Sequence, residues 1–349
     1  MKLVSACALF LLLAVPAAGE NLVILGWDGT GLGNVQRLLE EGRLPNLQGF
    51  VEGGATLAPL ELIARPNTMA GWTQIFTGLT YDQSGVLGNE YVGDVPAPVD
   101  TSFDAKNGVF PGLNFWIRPV PYRQTILSSL QVRGYGIGWF VSKGYLGMNR
   151  DKSTLAEVAW NADDFLARYP GVQGDAYLDK LEARAVKFMS ERERFVIFLH
   201  VDPDYYGHLL GENDPRYEGE FVRADALLGR LLAAVDRQTT RFLVVSDHGV
   251  DEGQKAHRNA VDAWMATDLP VHAAYALQDG QRAFATPRDV APTVLEWYGI
   301  PWEGWTPALR GKSLLDLQQP GSSRGLGDQG LSAGDPQRAG AGTAPGLPR

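Results

Sequence analysis

The sequence is almost devoid of cysteine. Its single thiol, Cys7, lies within the first ten of 349 residues. A chain cut after Gly19 would carry none, which excludes disulfide staples, thiolate zinc sites and cysteine nucleophiles. Histidine is nearly as scarce, with five in the whole chain. Basic charge is also short: 31 Lys and Arg stand against 40 Asp and Glu, a net charge of −9. Binding to a nucleic-acid polymer relies on Lys and Arg neutralising phosphates, so no such partner is expected. A small anionic substrate at a locally positive, metal-bearing centre remains compatible. Internal repeats are lacking, as are Pro/Ser linkers between residues 20 and 318.

The two ends differ from the body of the chain. Lys2 precedes the apolar run LVSACALFLLLAV, then Pro16 and the small residues Ala17, Ala18 and Gly19. A positive start, an apolar stretch short for a bilayer and a small-residue end read as a secretory signal over residues 1–19. An uncleaved anchor is the alternative. Cleavage would give an exported protein, periplasmic or secreted, with no remaining membrane span. Residues 319–349 are rich in Gly, Pro, Ser and Ala and nearly free of large apolar side chains. Such a segment buries too little surface to offset its ordering entropy and is expected to be a disordered tail. Truncation after Gln318 should therefore leave melting temperature and turnover unchanged. A large fall in melting temperature would show instead that the tail docks on the domain.

Residues 20–318 contain three apolar runs of one form. NLVILGWD ends at Asp28, RFVIFLHVD at Asp202 and RFLVVSD at Asp247, and GYGIGWFVS near Ser142 is a fourth candidate. Continuous β-branched and aromatic runs without alternation fit strands buried on both faces of a parallel sheet. Helical patterns separate them: NVQRLLEEG, LDKLEARAVKFMSER and EFVRADALLGRLLAAVDRQ. The alternation predicts an α/β fold, a doubly wound and mainly parallel sheet sandwiched between helices. Functional groups in such sheets gather at the carboxyl ends of the strands. Asp28, Asp202 with Asp204, and Asp247 are then expected at one crevice.

A lone aspartate after a strand is usually a helix cap or a turn residue. Here HVDPDYYGH adds His208 four residues after Asp204, and SDHG places His248 beside Asp247, with His257 nine residues further on. Imidazole and carboxylate without sulfur suit zinc, and also manganese or iron less selectively. Three carboxylates and three histidines suffice for two divalent ions with open positions. Asp202 could support a ligand without being one. His200, inside its strand, reads as core or as support for a ligand.

DPDYYGH and SDHG, in this order after an early strand-ending Asp, resemble the alkaline phosphatase superfamily of two-metal phosphoryl and sulfuryl transferases. In that family a Thr, Ser or Cys nucleophile lies nine residues before a Thr-Gly pair; in RPNTMAGWTQIFTGL, Thr68 lies nine before Thr77-Gly78. The stretch TGLTYDQSGVLGN is similar to the type I phosphodiesterase/nucleotide pyrophosphatase branch, where the Asn of such a segment binds a phosphoryl oxygen. Asn89 occupies that place. TPRDVAPTVLEWYGIP and LRGKSLLD look like the family's last helix and closing loop. The resemblance covers most of residues 21–316 and is weak from about Tyr91 to Arg194.

The resemblance implies that residues 20–318 form the catalytic domain. It assigns Asp28, Asp247 and His248 to one metal, which also coordinates Thr68, and Asp204, His208 and His257 to the other. The implied activity is hydrolysis of a small phosphate ester, a diester in this branch, through a covalent phosphothreonine. A phosphomonoesterase or phosphomutase of the superfamily is the alternative. A metal-dependent binding protein without catalysis ranks lower, because it needs no threonine beside a full ligand set. A sulfatase of the usual type needs a Cys or Ser where Thr68 stands.

Three features depart from nucleotide pyrophosphatases. Their last metal-binding His follows an inserted cap and comes much later than His257. The residue after their nucleophile is commonly Phe; here it is Met69. His272, in DLPVHAAYAL, competes with His257 but sits in a run resembling a structural strand of the family. Trp72, Tyr91, Trp116 and Tyr205 are candidates for either pocket wall or core. GTGLGN and GKS match dinucleotide and phosphate-loop motifs only in part.

Overall fold

A computed structural model of the chain describes residues 20–63, 66–84, 125–142, 158–160, 175–277, 285–305 and 308–316, with backbone alone for 81, 158–160 and 175–177. The expected signal segment, the tail, Asn89, Tyr91 and Trp116 lie outside the described residues.

Seven strands form one sheet: β1 (Asn21–Trp27), β2 (Thr56–Glu61), β3 (Gly136–Val141), β4 (Val158–Trp160), β5 (Phe195–Val201), β6 (Thr240–Val245) and β7 (Asp262–Thr267). Their order is β2-β7-β6-β1-β5-β3-β4. The pairs β1–β5, β1–β6, β3–β5 and β3–β4 are parallel. β7 runs antiparallel to both its neighbours, β6 and β2. The four strands expected from the apolar runs are β1, β3, β5 and β6. The antiparallel β7 and the outer β2, which carries Pro59, have weaker signals and were not anticipated.

The helices are α1 (Leu32–Glu40), α2 (Pro45–Glu52), α3 (Thr68–Thr77), α4 (Tyr81–Ser84), α5 (Ile126–Val132), α6 (Asp175–Ser190), α7 (Pro203–Leu210), α8 (Pro215–Ala234) and α9 (Val290–Trp297). Strand side chains alternate between two cores. Leu22, Ile24, Val196, Phe198, Leu243 and Val245 pack with Trp72, Ile75 and Phe76 of α3 and Val290 and Val294 of α9. Val23, Leu25, Ile197, Leu199, Phe242 and Val244 pack with α1, α2, α6 and α8 through Leu38, Leu47, Phe188 and Phe221. Both faces are therefore covered, which is why the central strands read as unbroken apolar runs. No helix among the described residues is long and apolar enough to cross a membrane.

Candidate metal centre

The sheet register brings the strand-ending aspartates level. β1 lies between β5 and β6, with Trp27 paired to Val201 and Gly26 to Val245. One residue further, Asp28 stands beside Asp202; two beyond Gly26, it stands beside Asp247. Asp28 N donates to Val201 O at 3.1 Å, and Asp204 N donates to Asp28 O at 3.1 Å, so the backbone fixes β1 against the start of α7. Asp202 caps α7, its side chain accepting from Tyr205 N at 3.2 Å, and Pro203 follows at the first helical position. That Asp-Pro start turns Asp204 and His208, one helical turn apart, toward the same side. Gly29 has φ +69°, and a Cβ there would collide with Asp204 Cβ, so only glycine permits this approach.

The three expected histidine ligands share one arrangement. His248 Nδ1 lies 2.8 Å from Gly249 O, His208 Nδ1 2.9 Å from Lys255 O and His257 Nδ1 2.5 Å from Pro66 O. A carbonyl only accepts, so each Nδ1 carries a hydrogen, and in the neutral ring each Nε2 presents a lone pair. Those Nε2 atoms turn inward. His248 Nε2 is 3.5 Å from Asp247 Oδ2 and 3.9 Å from Asp28 Oδ1. His208 Nε2 is 3.5 Å from Asp204 Oδ2, and His257 Nε2 is 3.8 Å from Asp204 Oδ1. His208 and His257 bring their Nε2 atoms to 3.0 Å. Two lone pairs facing each other repel unless a cation lies between them. His248 Nε2 is fully buried with no hydrogen-bond partner among the described residues. The donor set thus fits divalent ions bound by imidazole and carboxylate.

The electrostatics agree. Burial works to lower the His248 pKa, but Asp247, Asp204 and Asp28 outweigh it and hold the group above its ordinary value. Burial, with His248 and His208 close by, keeps His257 below its ordinary value despite Asp204. Its neutral form, the one that ligates, is thereby favoured. Two potential metal-ligating groups are Asp28–Asp247–His248 and Asp204–His248–His257; a third joins Asp28, Asp202 and Asp204. The groups share His248, Asp28 and Asp204, so they lie side by side. His208 reaches them through its contacts with Asp204 and His257.

Helix α3 is fastened to this cluster at three points. His257 bonds to Pro66 O, Trp72 Nε1 donates to Asp28 Oδ2 at 3.4 Å, and Gly71 lies against Asp247 so closely that a Cβ would come within 2.7 Å of its Cβ. Thr68 falls between these points. It is buried and opens the helix, while Asn67 holds the cap position with extended backbone (φ −149°, ψ 139°). Thr68 is therefore not the capping residue. The helix ends at Gly78, whose left-handed backbone (φ 66°) lets its N–H return to Gln74 O at 2.8 Å. The spacing from Thr68 to Thr77-Gly78 is the length of this helix.

Asp202, treated as a possible support, lies within ligating reach of Asp28 and Asp204. His272 stands apart in role: its Nδ1 accepts from Ala274 N at 3.1 Å and caps the 3₁₀ turn Ala273–Tyr275. Among the described residues the run around it pairs only as one bridge, Val271 to Leu315, with His272 N donating to Leu314 O at 2.8 Å, before the chain turns through Ala273–Tyr275. Trp72 belongs to the core, packed against Phe198 and Phe76. Tyr205 is exposed beside Asp204. A cavity of about 1010 Å³, lined by Asn34, Arg37, Glu212, Lys255, Arg258 and Asp262 among others, contains none of the expected ligands.

A parallel-cored sheet with histidines and aspartates at the ends of β1, β5 and β6 defines an alkaline phosphatase-like fold. The alkaline phosphatase of the Antarctic bacterium TAB5 superimposes with TM-score 0.51 at 11% identity, over 81% of this chain and 99% of that one. The lipoteichoic acid synthase LtaP from Listeria monocytogenes superimposes with TM-score 0.54 at 14% identity, over 86% of this chain and 76% of that one. No curated protein matches in sequence. The profile of the type I phosphodiesterase / nucleotide pyrophosphatase family matches residues 22–295, and the chain belongs to that family. It is a phosphoric ester hydrolase.

Proposed function

We propose that this protein is an exported phosphodiesterase that uses two divalent metal ions, zinc by preference, and forms a covalent phosphothreonine on Thr68. The observation that carries the reading is the set of three Nδ1-anchored histidines whose Nε2 atoms face Asp28, Asp204 and Asp247. Asp28, Asp247 and His248 would hold one ion, together with Thr68, and Asp204, His208 and His257 the other. When bound, the ions supply Lewis acidity, favouring the alkoxide of Thr68 and offsetting charge on the phosphoryl and leaving oxygens. Thr68 Oγ attacks phosphorus; its P–O bond forms as the bond to the leaving alcohol breaks and that alcohol takes up a proton. A water oxygen then attacks the same phosphorus, freeing Thr68 and releasing a phosphomonoester. Asn89 would donate its amide N–H to a phosphoryl oxygen.

The diester preference rests on charge. Asn89 is uncharged, and no arginine occurs between Arg65 and Arg118. A monoester dianion gains from a cationic partner, whereas a diester carries one fewer charge and needs less. His257 follows His248 by only nine residues, and Met69 replaces the usual Phe. Both argue against a gripped nucleotide and for a lipid headgroup or other small ester. The test is kcat/KM for bis-aryl or alkyl-aryl diesters against an aryl monoester and an aryl sulfate. The diester is expected to lead, and Asn89→Ala to lower its turnover. A monoester ahead by tenfold or more would replace this reading with a phosphatase.

A further inference from the structure

We propose that His200, braced by Ser142, is a positioning residue that orients Asp28 toward its metal; the inference rests on the two-metal reading above. His200 occupies the end of β5 on the face turned to α3, fully buried with Asp28. Its ring lies edge-on to Trp72 and Phe198, with centroids 5.7 and 5.9 Å away. An imidazole in an aromatic wall is costly unless its nitrogens are bonded. Both are: Nε2 is 2.8 Å from Asp28 Oδ2 and Nδ1 is 3.0 Å from Ser142 Oγ. A carboxylate only accepts, so Nε2 carries the hydrogen, and Nδ1 is left to take the Ser142 hydroxyl.

The consequence lies in how Asp28 divides its oxygens. Oδ2 takes His200 and, at 3.4 Å, the Trp72 indole, while Oδ1 is the oxygen turned to His248 Nε2. Two N–H donors on Oδ2 fix the carboxylate plane with Oδ1 turned to His248, the side on which a metal would be held. The donors come from β5 and α3, and Ser142 lies just past β3. Three elements thus set the angle of one ligand. Partners of this kind are typically worth about 10- to 100-fold in metal affinity or activity. Among the proposed ligands His200 hydrogen-bonds to Asp28, its other ring nitrogen being taken by Ser142, so its effect should be confined to one of the two ions.

The experiment is stepwise cobalt or zinc removal by a chelator, with d–d absorption of the cobalt protein, on the full chain. His200→Phe should weaken one metal step about 10- to 100-fold and leave the other within about threefold. His208→Ala, lesioned in the other ligand set, assigns the steps. His200→Gln, which returns an N–H near the Nε2 position, should recover most of the loss. Ser142→Ala, a smaller change outside the strand, should weaken the same step severalfold and stands in if His200→Phe does not fold. Unchanged affinities, equal weakening of both steps, or a His200→Gln as poor as His200→Phe would overturn the proposal. Wild-type protein that binds no metal would overturn the two-metal reading with it; two metals bound and indifferent to His200 would overturn this inference alone.

Discussion

Thr68→Ala is expected to keep its fold and both metal ions and to lose turnover by several orders of magnitude. A nucleophile removed from a site that otherwise stays assembled costs far more than a lost contact. Asn67, not Thr68, holds the cap position of α3, and the helix is pinned on either side of Thr68 by His257 at Pro66 and by Asp247 at Gly71. If Thr68 only helped to start the helix, its loss would cost about 1 kcal/mol of stability and leave the rate nearly intact. Single-turnover and steady-state rates on an aryl diester, with melting temperature and metal content alongside, separate the two. A rate within about tenfold of wild type contradicts the covalent role.

Removal of a metal ligand is expected to have the next largest effect, and the choice of ligand decides how cleanly it reads. Asp247 is buried, and its Oδ1 accepts from Gly29 N at 3.2 Å and His248 N at 3.1 Å. Asp247→Ala therefore strands two buried backbone donors, at about 1–3 kcal/mol each, besides losing a ligand. His208 is half exposed; Nδ1 bonds to Lys255 O, and its remaining contacts, with Asp204 and His257, lie within the ligand cluster itself. His208→Ala should fall in turnover by about a hundredfold or more and release one ion, with little change in the melting temperature of the metal-free protein. Outer partners alone reach about 10- to 100-fold, so a ligand should exceed them. Full metal retention with near wild-type turnover in His208→Ala would remove it from the site.

Much of this was legible in the sequence because two physical signals coincide. Buried parallel strands must be apolar throughout, so β1, β5 and β6 announce themselves, and each ends where its chain leaves the core at Asp28, Asp202 and Asp247. Thr68 came from the family's spacing to Thr77-Gly78, which the structure shows to be the length of α3. Less was legible where pairing is decided by distant chain. β7 runs antiparallel between β6 and β2, and nothing within DAWMAT sets its direction. The strand expected at His272 gave way to a turn closed by its own imidazole. His200 looked like a core residue with a possible supporting role, and its two partners, Asp28 and Ser142, lie 172 and 58 residues away. Sequence spacing carries no trace of such contacts; only the register Gly26↔His200 and Val141↔His200 brings them together.

In the proposed mechanism the converging Nε2 atoms and carboxylates hold two catalytic metal ions. The most direct measurement is elemental analysis of the purified protein, stripped with chelator, dialysed against zinc and freed of excess, with diester turnover followed at each occupancy. Two zinc ions per chain are expected, with turnover absent from the stripped protein and rising with occupancy. No more than trace metal after zinc dialysis, or full turnover without it, would contradict the account.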